Sequence, residues 1–159
     1  MLLFKQLVLK DSIVIKSTPE EIWEFFADLE QNYKNWHPKD HILFRWTGGK
    51  PMETGSAFYA EQYVMGEIKK YKGTIGESIP NRKIVFELSF PMSLFSPRFE
   101  WQIKPQGQSS VFTAKTYVRF GILYKKFFKK GMKAMIEAHN KHTGQEAENL
   151  KRILEQKVD

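Results

Sequence analysis

The sequence contains no cysteine, which excludes disulfides, thiolate metal sites and a nucleophilic thiol together. Any metal must therefore be held by His, Asp or Glu. Histidine is itself scarce, with four in 159 residues, at positions 37, 41, 139 and 142. No apolar run is long enough to be read as a membrane span or a signal peptide, and the opening MLLFKQLVLKDS is broken by Lys5 and Asp11. The expected location is the cytoplasm. Internal repeats, low-complexity tracts and Pro/Gly/Ser-rich linkers are also missing, so residues 1–159 are expected to form a single domain. With 42% hydrophobic and 14% aromatic residues, a chain of this length can bury a sizeable core.

Negative charge is the minority, leaving a net charge of +7 and a pI near 9.5. That balance invites a nucleic-acid reading, but the basic residues form only one dense cluster, Lys125, Lys126, Lys129, Lys130 and Lys133. An apolar stripe containing Phe128 and Met132 runs along the same segment, so the lysines read as the solvated start of an amphipathic helix. Nucleic acid is not an expected partner, and neither is an integral membrane environment.

That stripe is the most informative pattern present. Phe128, Met132, Met135, His139, His142, Glu146, Leu150 and Ile153 recur at spacings of three and four. At about 100° per residue they share one face of a helix, which places two histidines and a carboxylate where apolar side chains should be buried. An unpartnered buried carboxylate costs several kcal/mol, so a hydrogen-bond partner, a counter-charge or a metal must compensate. His142 and Glu146 stand four apart and can converge on one ion.

The other elements follow from local signals. Asp11 to Ser17 alternates like a strand, and Thr18-Pro19-Glu20-Glu21 supplies a capping threonine, a proline at the first helical position and a carboxylate three residues on. A helix is predicted from about Pro19 to Leu29, then a short helix or structured loop over Gln31 to Pro38. Strands are predicted at His41–Trp46, Ser56–Met65, Ile68–Ser78, Lys83–Ser89, Phe99–Lys104 and Val111–Phe120, separated by Gly and Pro turn signals. Phe90 to Pro97, with two prolines, reads as an apolar loop. A long helix from about Leu123 to Gln156 closes the chain. In the second of these strands period two leaves two faces open. One holds Tyr59, Glu61, Tyr63 and Met65, and the other Phe58, Ala60, Gln62 and Val64.

One strand, two short helices, a run of antiparallel strands and a terminal helix make an α+β order. With the stretch Ile13 to Leu29 it resembles the SRPBCC superfamily, which includes START lipid-transfer domains, polyketide cyclases and the major birch-pollen allergen. The resemblance implies a helix-grip fold, a curved antiparallel sheet wrapped around the C-terminal helix, with a cavity between them for a small hydrophobic or aromatic ligand. It does not by itself assign chemistry.

A sharper resemblance rests on Tyr33-Lys34-Asn35-Trp36-His37-Pro38-Lys39-Asp40-His41, on Glu61 before Gly66, and on His142-Thr143-Gly144-Gln145-Glu146 followed by Leu150 and Leu154. These look like the 2,4-diacetylphloroglucinol and phloretin hydrolase family, which uses the helix-grip fold to hold zinc and hydrolyses a carbon-carbon bond between an acyl group and a phenolic ring. Carried across, the resemblance implies a zinc site of His41, Glu61, His142 and Glu146, with catalytic roles for Tyr33 at the phenolic substrate and for Glu61. Iron or manganese would also suit such ligands. The family's enzymes are longer, with an N-terminal region that has no counterpart here. His37 and His139 remain alternatives to His41 and His142.

Two functions of different class follow: a zinc-dependent hydrolase of an acylated phenolic compound, and a carrier that binds a lipid or polyketide-like molecule without chemistry. Phe86, Phe90, Phe95, Phe99, Trp101, Tyr63 and Phe112 are candidate cavity or core residues for either. A third, an interaction protein whose basic helix start docks on an acidic partner or membrane surface, leaves the buried His and Glu unexplained. A homodimer is the assembly to test.

Overall fold

The computed structural model describes residues 4–121 and 129–158. Strand β1 (Phe4–Ile15) leads into helices α1 (Pro19–Ala27) and α2 (Leu29–Trp36). Six strands follow: β2 (His41–Gly48), β3 (Ala57–Val64), β4 (Glu67–Ile79), β5 (Lys83–Leu88), β6 (Arg98–Gln106) and β7 (Ser109–Gly121). Helix α3 (Lys129–Glu155) closes the chain, with a last 3-10 turn at Gln156–Val158. Every strand pairs antiparallel with its neighbour in the order β1-β7-β6-β5-β4-β3-β2. This is the helix-grip arrangement that the element order predicts. The start of the predicted terminal helix, with Phe128, Lys125 and Lys126, lies outside the described residues.

α1 forms where its cap says it should. The Glu21 N–H donates to the Thr18 hydroxyl at 3.2 Å, and the Thr18 N–H donates back to the Glu21 carboxylate at 2.8 Å, closing a capping box ahead of Pro19. Ile22, Phe25 and Phe26 then face inward and are buried. The backbone turns at Asp28, so α2 starts at once and presents Leu29, Tyr33 and Trp36 to the interior.

Register shifts between His41 and Leu43 and between Ile75 and Glu77 bend the sheet around these helices. Its inner face carries Phe58, Ile75, Ile84, Phe86, Ile103 and Phe112, which meet Phe26 and Trp36 on one side and Leu150 and Leu154 of α3 on the other. The rings fill this interior at contact distance, with Phe26 stacked on Trp101 at 4.3 Å and Phe86 on Phe99 at 4.5 Å.

β4 and β5 approach closely at Gly73. A Cβ there would lie 1.9 Å from the Glu87 carbonyl oxygen, which is backbone and cannot swing aside. Gly73→Ala is therefore expected to cost about 2–3 kcal/mol, at the upper end of overpacking penalties. A urea melt of the variant checks this, and a loss below about 1 kcal/mol would mean that the two strands separate freely.

Candidate functional site

Three elements bring the polar residues together. α2 places Tyr33, Trp36 and His37 on its inner face, the turn after it supplies Asp40 and His41, and α3 contributes His142, Gln145 and Glu146. The Trp36 indole N–H donates to the Glu146 backbone carbonyl at 2.9 Å and ties α2 to α3. At the start of β2, the Tyr63 N–H donates to the Asp40 carbonyl at 2.7 Å, fixing the turn.

His41 Nε2 lies 2.8 Å and His142 Nε2 3.1 Å from the same oxygen, Glu146 Oε1. The remote nitrogens are committed. His41 Nδ1 faces the Tyr33 carbonyl at 2.8 Å, and His142 Nδ1 faces the Asp40 carboxylate at 2.9 Å. Both partners accept hydrogen bonds, so in a neutral ring each Nδ1 carries the proton and each Nε2 presents a lone pair to Glu146. Two nitrogen lone pairs and a carboxylate oxygen at this separation repel unless a proton or a cation stands between them. Without a metal a proton takes that place. Burial works against charge on His142, but the hydrogen bonds and charges of Glu146 and Asp40 outweigh it and push the imidazole up to about 9. Burial likewise disfavours the Glu146 carboxylate, yet His142 and His41 hold it well below the usual carboxylate range.

These three atoms also fit a divalent metal. The ligand atoms of His41, His142 and Glu146 all lie within 4.8 Å of one another, and Nδ1 anchoring by a carbonyl and a carboxylate is the arrangement that orients imidazole ligands. Three protein ligands leave a coordination position open, as catalytic zinc sites do.

Glu61 is not among them, which corrects the four-ligand set and the catalytic role given to that residue. On β3 the inner face holds Phe58, Ala60 and Gln62, and Glu61 lies on the outer face, where its carboxylate accepts from the Tyr59 hydroxyl. The inward place opposite His41 belongs to Gln62. His37 stands beside this triad, its ring stacked on His142 with centroids 4.6 Å apart, and with Asp40 and His142 it forms a second group of potential metal ligands. His37 Nδ1 accepts from the Asp40 N–H at 3.2 Å and its Nε2 lies 3.0 Å from Gln145 Oε1, so both nitrogens are engaged. Burial pushes His37 and His139 below the ordinary histidine value.

Tyr33 lies against the cluster, its ring stacked on His41 with centroids 3.8 Å apart. Its hydroxyl donates to Gln62 Oε1 at 2.9 Å, and Gln62 also bonds Tyr71. Burial, reinforced by the Glu146 charge, raises Tyr33 well above 10 and Tyr71 to about 12. Both phenols stay protonated at neutral pH and keep an O–H to donate. Asp40, Gln62 and Tyr71 belong to the site although no motif marks them. Asp40 stands inside the stretch that carries His37 and His41, and Gln62 was visible as the inward residue of the second face of β3. Of the candidate cavity aromatics, Phe86, Phe99, Trp101 and Phe112 pack inside, while Tyr63, Phe90 and Phe95 are exposed. Tyr63 follows Glu61 onto the outer face, and the two phenylalanines sit on the loop after β5.

The sequence matches the model of the polyketide cyclase/dehydrase and lipid transport family over residues 6–155. The chain belongs to that family. Among solved structures, an aromatase/cyclase, ZhuI, from Streptomyces sp. R1128 superposes with a TM-score of 0.73 at 13% identity, covering 98% of this chain and 97% of that one. A START superfamily protein from Mycobacterium smegmatis gives 0.70 at 15% identity over 95% and 99% of the two chains. Major latex-like protein 151 from Panax ginseng gives 0.71 at 13% over 96% and 98%. These likenesses establish the fold. No curated protein matches the sequence. No helix among the described residues is long and apolar enough to cross a membrane.

Proposed function

We propose that this family member binds a small hydrophobic molecule between the sheet and α3, with the polar end of the ligand held at His41, His142 and Glu146. The observation that carries this reading is a buried polar cluster set into an aromatic wall, with Tyr33, Gln62 and Tyr71 beside it. The family description and the aromatase/cyclase and START neighbours support the hydrophobic class. Trp36 and Trp101 pack in this interior and would report on a ligand that enters it. Titration with acylphloroglucinols and other phenolic ketones is expected to quench tryptophan emission saturably, and Glu146→Gln to weaken binding about tenfold through loss of one charge-assisted contact. A flat titration across hydrophobic phenolic and lipid ligands would overturn the reading.

A second reading is a zinc-dependent hydrolase of an acylated phenol, favoured by the convergence of two anchored Nε2 atoms on one carboxylate oxygen and by the resemblance to the phloretin hydrolase family. A metal there would polarise an acyl carbonyl or lower the pKa of a bound water. His41, His142 and Glu146 would hold it, Asp40 and the Tyr33 carbonyl would orient the imidazoles, and the protonated Tyr33 hydroxyl would donate to the substrate. Plasma mass spectrometry of untagged protein incubated with zinc is expected to find about one zinc per chain, the count a single three-ligand site gives. His142→Ala and Glu146→Ala should each abolish it. A metal-free wild type leaves the binding protein alone.

A further inference from the structure

All but Val14 and Ile79 of the large apolar side chains exposed among the described residues lie at one end of the sheet. It is the end where β1, β4 and β6 begin and β3, β5 and β7 finish, as the registers Phe4 with Gly121, Val64 with Glu67, and Arg98 with Tyr117 require. The most exposed are Phe90 at 71% and Phe95 and Met65 at 63% each. Phe90 and Phe95 stand on the loop after β5, and Met65 at the β3–β4 turn. Large apolar groups scattered singly need no explanation, but their collection at one end does.

Positive charge collects there too. Lys70 and Lys72 share a groove with Phe90 and Met92 on the outer face. The position of α3 brings in more. Gly144 packs against Asp11, the Lys151 ammonium donates to the Val14 carbonyl at 2.9 Å, and the Lys16 N–H donates to the Glu155 carboxylate at 2.9 Å. From residue 144 to 155 the helix rises about 17 Å, and from 11 to 16 the strand advances about 17 Å, so α3 and β1 run side by side in the same direction. Lys129, about 22 Å back from Gly144 along the helix, is then level with Phe4, about 23 Å back from Asp11 along the strand. Lys129, Lys130 and Lys133 are exposed at this end. The carboxylates nearby are largely engaged. Glu67 bonds Lys69 at 2.6 Å, Glu137 lies 3.8 Å from Lys133, and Glu61 accepts from Tyr59. Lys70, Lys72, Lys129 and Lys130 have no ion-pair partner among the described residues.

We propose that this end of the molecule docks on an anionic phospholipid surface, with Phe90, Leu94 and Phe95 entering the interfacial layer and the lysines meeting the lipid phosphates. Apolar side chains ringed by unpaired lysines match the two forces that hold a peripheral protein on such a membrane, shallow apolar insertion and attraction to negative head groups. A second copy of the chain is a poor occupant, because a face-to-face pair would bring the lysines of both copies together without counter-charge. Docking needs nothing from His41, His142 or Glu146, so vesicle binding and the chemistry of the site are tested separately.

The test is cosedimentation of the full chain with phosphatidylcholine vesicles, with and without roughly 30% phosphatidylglycerol, at low and high salt. Binding is expected only to the anionic vesicles and is expected to fade with salt. Lys129→Glu with Lys130→Glu, and separately Phe90→Ser with Phe95→Ser, should each weaken it by roughly tenfold or more. All four positions are exposed, and circular dichroism confirms that the variants fold. The proposal is overturned by absence of binding to anionic vesicles at low salt, by equal binding to neutral ones, or by folded variants that bind like the wild type. Light scattering that finds a dimer dissociated by the Phe90/Phe95 pair would also overturn it, since a second copy would then cover this end.

Discussion

In protein stripped of metal by a chelator, Glu146→Ala is expected to lower stability by about 3–5 kcal/mol, the cost of breaking a buried ion pair by removing one partner. Glu146 Oε1 lies 2.8 Å from His41 Nε2 and 3.1 Å from His142 Nε2, and the side chain is only 15% exposed. Its removal leaves His41 and His142 pointing into a space they share, with His142 robbed of the partner that keeps it charged. Neither ring can turn away, because the Tyr33 carbonyl and the Asp40 carboxylate hold the opposite nitrogens. Glu146→Gln keeps the volume and one acceptor oxygen and should cost less. Urea melts give the ranking, and a double-mutant cycle with His142→Ala isolates the pair, with a coupling of about 1–3 kcal/mol expected. Additive losses would mean that the two side chains do not form a charged network and would remove the physical basis of the site.

The site was legible in the sequence only where its residues share one element. His142 and Glu146 stand four apart on a helix, so spacing alone puts them on one face. The capping box at Thr18 and Glu21 was equally local, and α1 begins where it says. His41 and Glu146 are 105 residues apart, and only the fold brings them within hydrogen-bond distance. Glu61 shows the limit of period-two reasoning. Both faces of β3 mix aromatic and polar residues, so the pattern cannot choose between them, and a resemblance then favoured the wrong one. The choice is made by register, which sets Gln62 opposite His41 and sends Glu61 outward. The first half of β1 escaped for a related reason. Residues 4–10 are mostly exposed on both sides, so no alternation marks them as a strand. They are held by pairing with the last residues of β7, a long-range contact that composition does not encode.

The same network should give metal-free protein a stability maximum near pH 6.5, falling on both sides. His142 in the folded chain is raised to about 9, against about 6.5 unfolded. A raised histidine contributes fully below its unfolded pKa, and its contribution is lost as pH climbs through the folded value. Stability should therefore decline between about pH 6.5 and pH 9, by on the order of 3 kcal/mol if the whole shift is realised. His37 and His139 act in the opposite sense. Burial lowers both, so below about pH 6.5 the unfolded chain takes up protons that the folded chain refuses, and stability falls as the solution is acidified. Glu146, held low by the two imidazoles, extends the acid limb, because its contribution is present above about pH 4.5 and is lost as the carboxylate is forced to protonate at lower pH. Thermal melts in chelator across this range measure both limbs. His142→Gln separates them, since it removes the alkaline decline and leaves the acid one in place. An alkaline limb that persists in His142→Gln would mean that another group carries it, and that Glu146 and Asp40 do not hold a proton on His142.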